Sequence, residues 1–435
     1  MKIINWEKID PTLKCQIFSR SVSSNTEDVA SDVTNIIRRV RAEGDVALLD
    51  YTQRYDRVKL KSFKVSCESS QPGMQDIISP ELKDAIENAY IRIKEFHELQ
   101  KPSNVGYDRD GIKAWKSWLP IENVGLYIPG GTAPLISTLL MLAIPAKLAG
   151  CQNIVCVTPP NRDGGIDPAI LYAAELCGIK YLYSIGGAQA IAALAYGTET
   201  VPKVDKIFGP GNKYVTEAKL QVARDPIGAA LDMPAGPSEV LVIAGDGANP
   251  QIVASDLLAQ AEHDQDAIAI CITTNAKLAE NINVAVAEQL QSLQRKAILN
   301  KSLKQAYIIL AKDLNEAFAI SNIYAPEHLI INIEDAQKYA SYVKNSGSVF
   351  LGQWSAEALG DYASGPNHVL PTYGYARSFS GLGVDSFMKA ITFQEVSESG
   401  LLELAKTVEP LAKFEGLDAH KMSVSIRRLL LERKL

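Results

Sequence analysis

The pattern of apolar positions divides the chain into a helical opening, a long alternating middle and a helical end. From Thr26, apolar residues recur at Val29, Val33, Ile36, Ile37 and Val40, three and four apart, until Gly44 breaks the run; this spacing predicts an amphipathic helix. A second helix opens with Ser79 as N-cap and Pro80 in the first turn, with the stripe Leu82, Ala85, Ile86, Ala89, Ile93 and Phe96. His97 lies beside that stripe and reads as a surface or helix-flanking histidine.

From about residue 121 the pattern changes. Short apolar runs at 124–128, 153–157, 181–185, 206–208, 239–243, 267–273, 307–310, 329–333 and 349–351 alternate with helical stretches. Strands buried on both faces read as continuous apolar runs, and intervening helices make the crossovers. The expected fold is therefore α/β: two Rossmann-like domains with mostly parallel sheets, broken near Asp232–Ser238, plus an N-terminal helical segment and a C-terminal helical tail. Ligands in such sheets bind at the carboxyl ends of the strands, where the glycine turns of this chain lie.

Composition narrows the class. The chain has 435 residues, 47% hydrophobic and 22% charged, which is globular and long enough for more than one domain. A net charge of -6 and a pI near 5.6 give no reason to expect nucleic acid or an anionic membrane as partner. No apolar run approaches the roughly 20 residues that span a bilayer. The start, Met1-Lys2-Ile3-Ile4-Asn5-Trp6-Glu7, lacks a signal-peptide core, so a cytoplasmic location is expected. The cysteines, at 15, 67, 151, 156, 177 and 271, form no Cys-x-x-Cys pair and read as reduced packing residues.

The histidines carry the most information. Of five, four fall after residue 260, each in polar company: Gln260-x-x-His263, Glu327-His328, Asn367-His368 and Ala419-His420. Three-residue spacing puts Gln260 and His263 on one helix face, where they could share a metal. Singly, each histidine is readily structural. Together with Asp361 they suggest a metal or acid–base site, and N/O donors without thiolates suit an open site for zinc, or for manganese or cobalt as substitutes. Glu327 and His328 offer two proton acceptors near one point, or a plain surface pair at a loop–strand junction. Gly186-Gly187-Ala188-Gln189 and Gly209-Pro210-Gly211-Asn212 each follow a strand. They could meet a pyrophosphate, or serve only as tight packing turns; neither fits the Gly-x-Gly-x-x-Gly fingerprint.

Longer blocks resemble the histidinol dehydrogenase family. They are Leu126-Tyr127-Ile128-Pro129-Gly130-Gly131, Gly186–Ala190, Val201–Asn212, Asp232–Glu239 running on through Asp256-Leu257-Leu258 to His263, Ala325–Leu329, Gly360–Gly365, Asn367–Thr372 and Ala419-His420-Lys421. The resemblance covers nearly the whole chain in order. It implies that Gln260, His263, Asp361 and His420 hold one zinc per subunit, and that Glu327 and His328 are the proton acceptors. It implies that Tyr127, Gln189 and Asn212 hold NAD. Ser238, His328, Glu415 and the zinc ligands would contact substrate, with His368 also near it.

It further implies a homodimer in which the tail carrying Glu415 and His420 completes the partner's site. The implied reaction, the last step of L-histidine biosynthesis, is the NAD-dependent four-electron oxidation of L-histidinol to L-histidine through bound L-histidinaldehyde. The expected division is an N-terminal segment (1–25), a larger α/β domain with the metal and acid–base residues (26–120 with 239–378), a second Rossmann-like domain (121–238) and a helical tail (379–435). Three other readings are weighed: a zinc/NAD dehydrogenase of this scaffold acting on another small alcohol, a zinc hydrolase using Glu327, and a non-catalytic binding protein.

Overall fold

The computed structural model describes residues 1–20, 26–68, 77–130, 134–234 and 236–433. Gly131 and Ala235 of the quoted blocks lie outside them. The chain forms two compact units: residues 1–100 with 121–387, and residues 101–120 with 388–435.

The first unit holds two six-stranded sheets. One runs Lys2–Asn5, Tyr307–Leu310, Ile268–Thr273, Glu239–Ala244, His328–Asn332, Ser348–Leu351, and every neighbouring pair is parallel. Its central strand shows why the apolar runs are continuous: Val240, Leu241, Val242, Ile243 and Ala244 are all 0% exposed. The two-residue side-chain period sends Val240, Val242 and Ala244 into one core with the helices Pro250–Ala261 and Ala276–Leu290. Leu241 and Ile243 enter the opposite core with Trp6, Ile17 and Phe318. Each such side chain contributes about 1.5–3 kcal/mol by leaving water. The first strand, Lys2–Asn5, is an addition to the sequence reading; it pairs along the sheet's edge with Tyr307–Leu310.

The other sheet runs Lys64–Ser66, Tyr181–Ser184, Asn153–Thr158, Asn123–Tyr127, Lys206–Phe208, Ala230–Leu231, parallel except for Lys64–Ser66. Asn123–Tyr127 lies between Asn153–Thr158, beyond which the next strand is added outward, and Lys206–Phe208, which returns to its other side, so the strand order reverses there and opens a crevice at its carboxyl end. The helix Thr26–Glu43 packs on this sheet's helices, placing Val33 and Val40 in one core with Ile191 and Ala218.

The second unit is a three-stranded antiparallel sheet and two helices. Val105–Arg109 and Ile112–Pro120 form a hairpin through Asp110-Gly111, both at positive φ (54° and 75°) as an Asp-Gly turn requires. Met388–Val396 pairs with Ile112–Pro120, so the C-terminal region opens with a strand before it turns helical. The helices Glu398–Phe414 and Asp418–Glu432 follow, tied by Arg428 to Glu409 at 2.9 Å. Among the described residues, no helix is long and apolar enough to cross a membrane.

Candidate active site

His328 is the first residue of the strand His328–Asn332, next to the sheet's edge strand, and its environment defines its chemistry. The side chain is buried, and Nδ1 lies 3.1 Å from the Glu239 carbonyl oxygen. A carbonyl only accepts, so Nδ1 carries the proton and Nε2 presents a lone pair. Burial pushes the imidazole down to about 4 against the pull of Asp361, which keeps it neutral. Nε2 has no hydrogen-bond partner among the described residues and stands 3.8 Å from Asp361 Oδ1.

Glu327 precedes it. Its Oε2 accepts the Glu239 backbone N–H at 2.8 Å. Burial raises its carboxyl well above the ordinary range, with Glu239 and Asp361 adding to the rise. A raised carboxyl is a stronger base once ionised.

This site lies at the amino ends of its strands, opposite to the expectation for such sheets. The cause is the crossover geometry. A helix returning between parallel strands runs antiparallel to them, so its last turn arrives where the next strand begins. Gln260 sits in the last turn of Pro250–Ala261 and His263 just beyond it. Gln260 is fully buried, yet neither Oε1 nor Nε2 has a partner among the described residues. Such an orphaned buried amide is costly unless something binds it.

Asp361 comes from the short helix Glu357–Tyr362; its Oδ2 is 3.8 Å from His263 Nε2. His263, Glu357 and Asp361 each offer a ligand atom within 4.8 Å of the others. Nitrogen and oxygen donors, an orphaned amide and an exposed His263 fit a zinc ion with open coordination positions. A cavity of about 330 Å³ adjoins them, lined by His328, Asp361, His368, Phe350 and Trp354. His368 Nε2 is also unpartnered among the described residues. Ser238, next to Glu239, is half-buried.

The expected dinucleotide residues gather at the other sheet. Tyr127 ends the strand at the reversal point, and its hydroxyl accepts the Gly187 N–H at 3.2 Å. Gln189 lies in the first turn of the helix that Gly187 opens and is 2% exposed. Asn212 is exposed, with Oδ1 capping its helix through the N–H groups of Tyr214 and Val215. Gly209 has φ 119°, and a Cβ there would come within 2.2 Å of the Tyr127 carbonyl, so only glycine lets the two turns approach. Lys219 and Asp232, an ion pair buried beneath, hold Gly209 by its carbonyl and its N–H.

Glu415 and His420 belong to the second unit. Glu415 closes the helix Glu398–Phe414, His420 lies in the first turn of Asp418–Glu432, and both are exposed.

A family model for histidinol dehydrogenase matches residues 19–428. The chain belongs to the histidinol dehydrogenase family. A Vibrio parahaemolyticus histidinol dehydrogenase is 47% identical over 428 residues, covering 98% of each chain. One from Bacteroides thetaiotaomicron is 51% identical over 404 residues, 93% of this chain and 94% of that one. The crystal structure of histidinol dehydrogenase from Elizabethkingia anophelis superposes with a TM-score of 0.93 at 46% identity, covering 99% of both chains. NAD and zinc are the cofactors of the family, and the donor set above suits the metal.

Glu357 and His97 have surroundings that the sequence pattern did not indicate. Glu357, 2% exposed, lies 3.6 Å from His328 Nδ1; its spacing from Asp361, four residues on one helix, was the available signal. His97 is not on the surface but fully buried. Its Nδ1 donates to the Ile93 carbonyl at 2.7 Å and its Nε2 accepts from Asn367 Nδ2 at 3.2 Å. Asn367 also donates to the Met141 carbonyl at 2.7 Å, which anchors the segment carrying His368.

Proposed function

We propose that Glu327 and His328 are the proton acceptors in an NAD-dependent oxidation of L-histidinol to L-histidine through L-histidinaldehyde held in the site. The activity is that of the family, the last step of histidine biosynthesis. The residue roles rest above all on one observation: a buried, neutral His328 whose Nδ1–H is tied to a carbonyl and whose Nε2 is free beside Asp361.

Gln260, His263 and Asp361 would hold the zinc, which would supply a Lewis-acid docking point for the substrate's nitrogens, and NAD would supply the hydride acceptor. His328 Nε2 takes the hydroxyl proton as a hydride leaves the carbon, giving the aldehyde. Glu327 takes a proton from the water that attacks this aldehyde while His328 returns its proton to the aldehyde oxygen, giving the gem-diol and leaving His328 neutral again. His328 then takes a gem-diol proton as the second hydride leaves. One water is consumed and two hydrides depart. Keeping the aldehyde in a closed site protects it from side reactions.

The dinucleotide lies against Tyr127, Gln189 and Asn212, within 121–238. The metal and acid–base residues lie within 239–378. Ser238 and His368 contact substrate. The tail, 379–435, reaches a second copy in a homodimer, where Glu415 contacts substrate and His420 completes the zinc ligands. The location is cytoplasmic, and no nucleic acid or membrane takes part.

The test is stoichiometry joined to two variants. The wild-type enzyme yields two NADH per histidinol, whereas one NADH with free aldehyde accumulating would count against the reading. Glu327→Gln should slow aldehyde oxidation more than alcohol oxidation. His328→Asn should slow both by about 10²- to 10⁴-fold. Near-normal rates in both variants would remove the assigned roles.

A further inference from the structure

The N-terminal segment sends a cation into the back of this site. Arg20 ends the helix Pro11–Ser19 in a left-handed conformation, φ 47°, and is 4% exposed. Its guanidinium faces Glu239, which is fully buried. Nε lies 2.6 Å from Oε1 as a charge contact, and Nη2 donates to Oε2 at 3.0 Å. Nη2 also reaches the carbonyls of Tyr324 at 2.7 Å and Ala325 at 3.3 Å. The guanidinium carbon sits 3.8 Å from the centre of the Tyr324 ring. Ala325 has φ 53°, a conformation disfavoured for alanine, so something must hold this turn. Glu327 and His328 follow two and three residues later.

Glu239 is the other half of the arrangement. Its Oε1 accepts the Tyr373 N–H at 3.0 Å. Its own backbone N–H goes to Glu327 Oε2, and its carbonyl takes the Nδ1–H of His328. One residue thus grips both proton acceptors with its main chain while its carboxylate is locked by Arg20. Buried ion pairs contribute little net stability compared with apolar packing, but they can fix a unique geometry. The Arg20 guanidinium is a planar fork with several donors, which a lysine ammonium cannot reproduce.

We propose that Arg20 and Glu239 form a positioning pair for the acid–base residues. Arg20 fixes the turn that delivers Glu327 and His328, and Glu239 fixes the His328 tautomer and the aim of Nε2. Neither residue touches substrate. This inference rests on Glu327 and His328 being the proton acceptors.

The experiment uses the full-length, zinc-loaded enzyme carrying Arg20→Met or Arg20→Lys. The expected result is a kcat lower by about 10- to 100-fold in both, with zinc content and KM for histidinol within about twofold of wild type. In Arg20→Ala, added ethylguanidinium should restore at least about threefold of the lost kcat, while leaving the wild-type rate unchanged. A kcat within about twofold of wild type in folded Arg20→Met overturns the proposal. So does a loss of kcat that tracks loss of zinc or of folded protein, because that is a structural role only. If Arg20→Met does not fold, Glu239→Gln replaces it, with the same split between kcat and KM expected. Glu327→Gln and His328→Asn are assayed alongside. Activity surviving in those two defeats the acid–base reading. Activity lost there but kept in the Arg20 variants defeats only the positioning pair.

Discussion

Glu357 is a carboxylate buried to 2% exposure with no cationic side chain paired to it among the described residues. Burial raises its carboxyl well above the ordinary range, and Asp361, Glu327 and Asp256 add to the rise. Such a cluster of acids is stable only if protons or a cation neutralise it. Glu357 also shares the ligand group with His263 and Asp361. Glu357→Gln is therefore expected to weaken zinc retention about tenfold, with little change in melting temperature. Competition against a graded chelator, followed by metal analysis, reads this directly. Retention within about twofold of wild type would place Glu357 outside the metal's influence. At this scale the sequence was most legible where several polar residues, each readily structural alone, pointed together to one chemistry. The histidines 263 and 328 and Asp361 converge as their types and neighbours imply. Glu357 was passed over because a lone glutamate in a helix reads as a solvated face until its burial is known.

The helix Pro80–Glu98 shows what patterning settles and what it leaves open. Its start was plain from Ser79, whose side chain accepts the Leu82 N–H. Its inward face was read only in part: Ile86 and Ile93 of the stripe are buried, but so is His97, while Leu82 and Phe96 are 40% and 39% exposed. A small rotation about the helix axis keeps the apolar periodicity and changes which residues face in, and a histidine is ambiguous in any hydropathy pattern. The consequence is measurable. Burial lowers the His97 pKa from its ordinary value, so the folded chain keeps it neutral where the unfolded chain takes up a proton. Stability from this group is complete above the unfolded value, near 6.5, and is lost as pH falls below it. The loss is at most about 1.4 kcal/mol per pH unit. Urea unfolding of wild type and His97→Gln at pH 7.5 and 5.5 should show wild type ahead at the higher pH and the gap closing at the lower. An unchanged gap would mean that His97 titrates alike in both states.

At the scale of the whole molecule, the inner parallel strands were readable because both of their faces are buried. The antiparallel sheet of the second unit was not. Val105–Arg109 is exposed at every residue, and Met388–Val396 at all but the first, so no burial pattern marks them as strands. The same unit leaves large apolar side chains open: Phe414 is 91% exposed, Met422 57%, Leu430 55% and Ile426 51%. An apolar surface of this kind is a feature of association sites, and it flanks Glu415 and His420, the residues proposed to serve a second copy. If each site is built from the body of one chain and the tail of another, two dead variants must complement. Glu327→Gln kills the body's contribution, and His420→Asn kills the tail's. In a mixed dimer, one site receives both lesions and the other receives neither. Random reassociation of equal amounts makes half of the dimers mixed, each with one working site of two, so activity should recover to about a quarter of wild type. If each chain completes its own site, every site in every dimer carries one lesion. Mixing, dissociating and reassociating the two variants would then restore nothing.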